Sequence, residues 1–246
     1  MWPFHKIVFL FDSSPECKST LGQAVQLAEK CHSELVLFDT EAHPGKGSTA
    51  SRVLEFARGG GADLIFIPRH DSGALEATIA GVLGKAQCPV WIAPARQAAE
   101  KDAASGPVLC AVEPGAGNEE HLVSAAGIAQ AYGAKLHLIH AVPEVPEARL
   151  RLAAFERAMG WLMEFRRKLA RTSEVAVHAG EVVKVLVRAA QTRGASLLVI
   201  GHGEAGGPPG HLGAHTYRIA RDASCAVLVG APAAAAGLPS ENRKAA

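Results

Sequence analysis

Six glycines crowd the stretch from Gly201 to Gly213, at 201, 203, 206, 207, 210 and 213, with His202, His211 and His215 in or beside it. Glycine lets a backbone approach a phosphate closely, and a helix beginning just past such a loop offers free N–H groups and the positive end of its dipole. The stretch follows Ala195-Ser-Leu-Leu-Val-Ile-Gly201, an apolar run of strand length. Ligands of open α/β sheets sit at that carboxyl end of a strand. Pro208 and Pro209 stiffen the loop and remove two N–H donors. A protonated histidine here could contact a phosphate. His211 and His215, four apart, could share a helix face and hold a metal. No Cys or acid at ligand spacing accompanies them, so no metal ligand is assigned. Two carboxylates, Asp12 and Glu113, each close an apolar run and are the other candidates for ligand contact. The plainer role for each is to organise the following turn by hydrogen bonds.

Catalytic patterns are missing. There is no Gly-x-Ser-x-Gly elbow and no HExxH, and Gly45-Lys46-Gly47-Ser48 lacks the spacing of a Walker A loop. No catalytic residue is assigned. The five cysteines, at 17, 31, 88, 110 and 225, contain no CxxC and read as buried thiols. Cys17 lies near a helix start, where a thiolate would be favoured. His137 and His140 fall three apart on an expected strand, so they point to opposite faces and make a poor ligand pair.

The elements that must position these residues occur twice. Lys6-Ile-Val-Phe-Leu-Phe-Asp12 and Pro107-Val-Leu-Cys-Ala-Val-Glu113 are apolar runs ending in an acid, as suits strands buried on both faces. A helix follows each, about Lys18 to Cys31 and Glu119 to Tyr132, with Leu21, Ala24, Val25, Leu27 and Ala28 on the inner face of one and Leu122, Val123, Ala126, Ile128 and Ala129 on the other. Second strands come next, Glu34 to Asp39 and Lys135 to His140. Ala62 to Pro68 matches Ala195 to Gly201, and Ala86 to Ile92 matches Ala223 to Val229. Only the second half carries a long amphipathic segment, Val145 to Ala170, with Leu150, Leu152, Phe155, Met159, Leu162, Met163 and Phe165, and a short strand from Glu174. The first half runs instead through a loop at 43–47 into a helix over Thr49 to Arg58. The fold class expected is α/β, as two doubly wound, Rossmann-like parallel-sheet domains, the first short of one strand and one helix. The divisions are 1–96, a linker at 97–106, 107–231 and a flexible tail at 232–246.

The 246 residues carry 25 Lys+Arg against 24 Asp+Glu, which argues against a nucleic-acid partner held by a basic field. Aromatics are 5%, too few for base-stacking platforms. No apolar run approaches the ~20 residues of a membrane span. The N-terminus lacks the pattern of a signal peptide. The expectation is a cytoplasmic protein with no membrane or nucleic-acid partner.

Taken together, the strand ending in an acid, the Ala-rich helix, the Ala-Asp-Leu-Ile strand, the Gly-rich loop and Cys88-Pro89-Val90, with Cys225-Ala226-Val227 as a looser copy, resemble a tandem universal stress protein over residues 5 to 230. The resemblance implies two family domains and, in ATP-binding members, a loop like G-x2-G-x9-G-[ST] with an adenine contact from the first strand's acid. The second half keeps the nine-residue interval between Gly203 and Gly213, but has Gly201-His202-Gly203 one residue short, Ala214 for the hydroxyl residue and Glu113 for aspartate. The first half keeps Asp12 but has Glu76-Ala77 where Gly-Ser/Thr would stand, and a carboxylate there repels polyphosphate. The resemblance thus implies a non-catalytic stress-response sensor or adaptor. Any ATP or other adenine nucleotide would bind weakly in the second half, through Gly201, His202, Gly203, Gly213, Ala214, His215 and Glu113, with Asp12 a remnant contact. The alternatives are an ATP-binding member with slow hydrolysis and a metal- or redox-responsive module using the His-rich loop. The resemblance also implies an unidentified protein partner, pairing of Val90–Ala93 with Ala226–Val229 as an intramolecular pseudo-dimer, and homodimerisation beyond that.

Overall fold

Each apolar run becomes a strand, and the acid-ended turn after it opens a helix. In the computed structural model, described over residues 4–43, 45–69, 73–94, 106–113, 119–169, 173–202 and 214–231, β1 (Lys6–Phe11) leads into α1 (Pro15–Cys31). The turn holds Ser13 in the left-handed region at φ 62°. Asp12 Oδ1 accepts from the Ser14 amide at 3.1 Å and from its hydroxyl at 2.7 Å, and Ser14 caps α1 by accepting from the Cys17 amide. That cap, with Pro15 in the first turn, starts α1 three residues before the expected Lys18. Then come β2 (Glu34–Asp39), α2 (Thr49–Gly59), β3 (Leu64–Pro68), α3 (Gly73–Leu83) and β4 (Val90–Ala93). The rest of the chain supplies β5 (Val108–Ala111), α4 (Glu119–Tyr132), β6 (Leu136–Val142), α5 (Ala148–Leu169), β7 (Glu174–Ala179), α6 (Val182–Thr192), β8 (Leu197–Ile200), α7 (Ala214–Asp222) and β9 (Ala226–Val229).

The nine strands make one sheet in the order β2-β1-β3-β4-β9-β8-β5-β6-β7. All neighbours run parallel except β4 and β9, which pair antiparallel with Trp91 opposite Leu228. That one reversal sets the carboxyl ends of β1–β4 at one end of the sheet and those of β5–β9 at the other. Two layers of helices cover it. Buried residues of α1, α4 and α5 pack on one face, and those of α2, α3, α6 and α7 on the other; both cores cross the β4–β9 junction without a break.

Among the described residues, β2 is the edge of the sheet on the first half's side. The loop after β2 is fastened to α2: Arg52 Nη1 donates to the carbonyls of Thr40, at 3.3 Å, and His43, and the His43 ring stacks on Phe38 at 5.0 Å. Ser48, in the Gly45–Ser48 stretch, caps α2 by accepting from the Ser51 amide.

Several expected core positions turn out to face solvent. Val25 is 40% and Val123 59% exposed. The inward stripes are Ala24, Leu27, Ala28 and Cys31 on α1 and Leu122, Ala125, Ile128 and Ala129 on α4, and the residue next to a stripe member is turned by about 100° away from it. Leu150, Leu152 and Met163 of α5 are exposed for the same reason, with Ala158 and Leu162 facing the sheet. No described helix is long and apolar enough to cross a membrane. Of the expected linker at 97–106 only Gly106 is among the described residues, and the tail at 232–246 lies outside them.

Candidate functional site

At the carboxyl ends of β5 and β6, a shallow pocket is lined by Ala111, Glu113, His140, Ala141, Val182 and Leu186. Glu113 is exposed at its rim. His140 Nδ1 lies 2.7 Å from the Val112 carbonyl, and its ring meets the edge of Trp161. Gly201 follows β8, the other neighbour of β5 in the sheet, and α7 begins at Ala214 with His215 exposed in its first turn. These residues therefore share one end of the sheet. Gly203, His211 and Gly213 lie outside the described residues. Asp12 is not brought to them: β1 stands five strand spacings from β5, about 24 Å at the usual separation, with its carboxyl end at the opposite end of the sheet.

His202 was expected to face a ligand. Its Nε2 lies instead 2.9 Å from the carbonyl of Leu83, the last residue of α3. A free carbonyl at a helix end draws in a donor, and this one takes the imidazole. The backbone of His202 is held too, because Thr216 Oγ1 donates to its carbonyl at 3.2 Å. Thr216, buried in the first turn of α7, thus ties the start of the glycine stretch to the helix after it.

His121, in the first turn of α4, escaped the sequence reading. Only 6% exposed, it lies beside the Ala111 carbonyl with Nε2 at 3.3 Å. A Cβ added at Gly230 would meet the His121 Cβ at 3.1 Å, and one at Gly201 would meet its Cε1 at 3.8 Å. The imidazole thus fills the room left by two glycines at the ends of β8 and β9. A lone histidine in an Ala-rich helix carries no signal of that fit.

Cys17 does not become a reactive thiol. Burial pushes its pKa up to about 12, despite its place near a helix start, and its Sγ donates to the Leu10 carbonyl at 3.6 Å. Burial likewise raises Cys31 and Cys225 to about 11 and Cys110 higher still. All five thiols are buried. Among the described residues, no three His, Cys, Asp or Glu side chains come together as a metal site. His137 and His140 do point to opposite faces. His137 accepts from Arg193 Nη1 at 3.0 Å on the α6 side.

Two buried histidines give the fold a pH dependence. Burial holds His121 below the ordinary imidazole range, partly offset by its bond to Ala111. Burial first, then Arg193 and Lys135, does the same for His137 against the opposing pull of Glu174. The folded chain therefore holds both neutral. Their stabilisation is complete above the unfolded value of about 6.5 and is lost as pH falls from there through the folded values. Each histidine should cost at most about 1.4 kcal/mol per pH unit in that window. The urea midpoint should thus drop between pH 7.5 and 5, and the slope should flatten in the His121→Gln/His137→Gln variant. A midpoint level over that range would contradict the assignment.

A model of the universal stress protein family matches residues 105–230, just over half of the chain. Among solved structures, a functionally unknown protein from Pseudomonas aeruginosa superposes with a TM-score of 0.74 at 18% identity, covering 98% of this chain and 97% of that one. A universal stress protein from Archaeoglobus fulgidus gives 0.57 at 17% identity, over 92% of this chain and 86% of its own. At these identities the likeness is one of fold. No curated protein matches the chain.

Proposed function

Because this chain belongs to the universal stress protein family, we propose that it is a tandem of two such units, at 1–96 and 107–231, acting as a non-catalytic sensor or adaptor whose second unit binds an adenine nucleotide weakly. The tandem reading is supported by the antiparallel β4–β9 junction, about which two four- and five-stranded parallel sets face in opposite directions. The nucleotide reading is carried by one observation: Glu113, the β5–β6 pocket, Gly201 and the first turn of α7 share one end of the sheet. The base would lie against the pocket and the phosphates near α7, where N–H groups and the dipole favour negative charge. Gly203 and Gly213 complete the loop in this reading, and Ala214 in place of a hydroxyl residue keeps the affinity low. The first unit binds no nucleotide, since Glu76 stands exposed in the first turn of α3.

A ligand that binds only the native state stabilises it by RT ln(1 + [L]/Kd). The melting temperature should therefore rise by about 3–6 °C once MgATP reaches roughly ten times Kd. Gly213→Glu should abolish the rise and Glu76→Ala should not alter it. No rise up to 10 mM (about the highest practical concentration, and enough at millimolar affinity) would overturn the nucleotide part of the reading.

A further inference from the structure

His202 has a counterpart in the first half. Arg69 follows Pro68 at the end of β3 as His202 follows Gly201 after β8, and Arg69 also reaches into the other half. Its Nη1 donates to the carbonyls of Ala220 and, at 3.2 Å, of Arg221, and its Nη2 donates to Ala223 at 2.6 Å. Those carbonyls are the carboxyl-terminal end of α7. Leu83 and Ala220 occupy matching places before Cys88 and Cys225. Each half therefore caps the last described helix of the other, with a residue just past β8 (His202 on α3) and just past β3 (Arg69 on α7). The two caps are unequal. Histidine supplies one N–H to one carbonyl, while the arginine fork spans three and brings a permanent charge to the negative end of the dipole.

α7 is the helix whose other end stands at the candidate anion site. It has nine residues, so its ends are about 13 Å apart. On its own it would be too short to hold together in water. We propose that Arg69 is a positioning residue for the nucleotide site of the second unit: by gripping the carboxyl end of α7, it fixes where the amino end of that helix presents its N–H groups to a phosphate. The first unit, which has lost its own loop, thus serves the site of the second. This rests on the nucleotide reading above.

The test uses the full chain, with calorimetric titration of MgATP well below the melting temperature of every variant. Arg69→Gln should weaken binding by about three- to tenfold, the range expected for losing a charged cap at a helix end. Arg69→Lys keeps the charge without the fork and should recover only part of that loss. Arg218→Gln removes a charge from α7 itself, where Arg218 Nη1 pairs with Glu181 at 2.7 Å, and should weaken binding less than Arg69→Gln. Amide exchange should also quicken across 214–222 in Arg69→Gln, with or without ligand. Arg69→Gln that folds and binds like the native chain overturns the proposal. So does Arg69→Lys with native affinity, because the arginine would then contribute charge alone. If the native chain binds no MgATP, the nucleotide reading falls and this proposal with it. If binding stands and Arg69→Gln leaves it unchanged, only this proposal falls.

Discussion

Trp91→Ala should lower the free energy of unfolding by about 3–5 kcal/mol, the usual range for deleting a buried tryptophan. It should be read as a fall in the urea midpoint, followed by circular dichroism. Trp91 is 2% exposed and sits opposite Leu228, where β4 meets β9. Its ring stacks on Phe66 at 5.7 Å and 13°, and Phe66 in turn packs on Phe9 at 5.4 Å. Truncation opens a cavity in the core under α1 and α4, at the seam between the two strand sets. The indole Nε1, however, is buried and has no hydrogen-bond partner among the described residues. Such a donor is a standing cost of about 1–3 kcal/mol. Trp91→Phe keeps a ring and discards that donor, so it should lose well under half of what alanine loses. A phenylalanine variant as unstable as the alanine one would show that the indole is satisfied after all.

Gly106→Ala should be the second severe change. A Cβ there would lie 2.1 Å from the Gly194 carbonyl oxygen and 2.9 Å from the Ser196 amide. Both obstacles are backbone, so neither can swing aside as a side chain could. Ser196 also pins the spot, with its hydroxyl donating to the Gly106 carbonyl at 2.9 Å and its amide to Pro107. Relief requires β5 and β8 to separate where both begin. Overpacking of this kind typically costs 1–3 kcal/mol, occasionally more, and the upper end is expected. Gly22 in α1 and Gly160 in α5 offer the opposite case, since a Cβ at either meets nothing within 4 Å. Alanine there should stabilise by about 0.5–1 kcal/mol, the helical preference over glycine. Thermal melts of the three single variants check both signs. Equal behaviour at 22, 106 and 160 would contradict the contact geometry.

The strands and their order of appearance were legible in the sequence because each is a short apolar run bounded by polar turns. Glu34–Asp39 and Glu119–Tyr132 even have the expected limits. The pairing of Val90–Ala93 with Ala226–Val229, which the family resemblance implied, is present as the antiparallel β4–β9 contact. Helix faces were harder. α1 and α4 bury more alanine than leucine, so an apolar stripe can be drawn through Val25 or Val123 as easily as past them. The site was half legible. The glycine stretch announces itself, but its fastenings do not. Arg69 and His202 bond to backbone carbonyls more than a hundred residues away, and every residue type carries a carbonyl. His202, taken from its place between two glycines to face a ligand, is spent on Leu83 instead. Nor does a residue's own type reveal the void that it fills, as with His121 under Gly201 and Gly230.

The antiparallel seam also sets a timetable for synthesis. β4 ends at Ala93 and its partner β9 begins at Ala226. At roughly 5–20 residues per second, a ribosome needs on the order of ten seconds to make the chain between them. For that interval the strands already made end in an open edge of Val90, Trp91, Ile92 and Ala93, all buried in the finished molecule. An apolar edge of this kind is a template for pairing with other chains. The nascent protein is therefore exposed to misassembly through the whole of that interval, and the strand that ends the hazard is the last of the described strands.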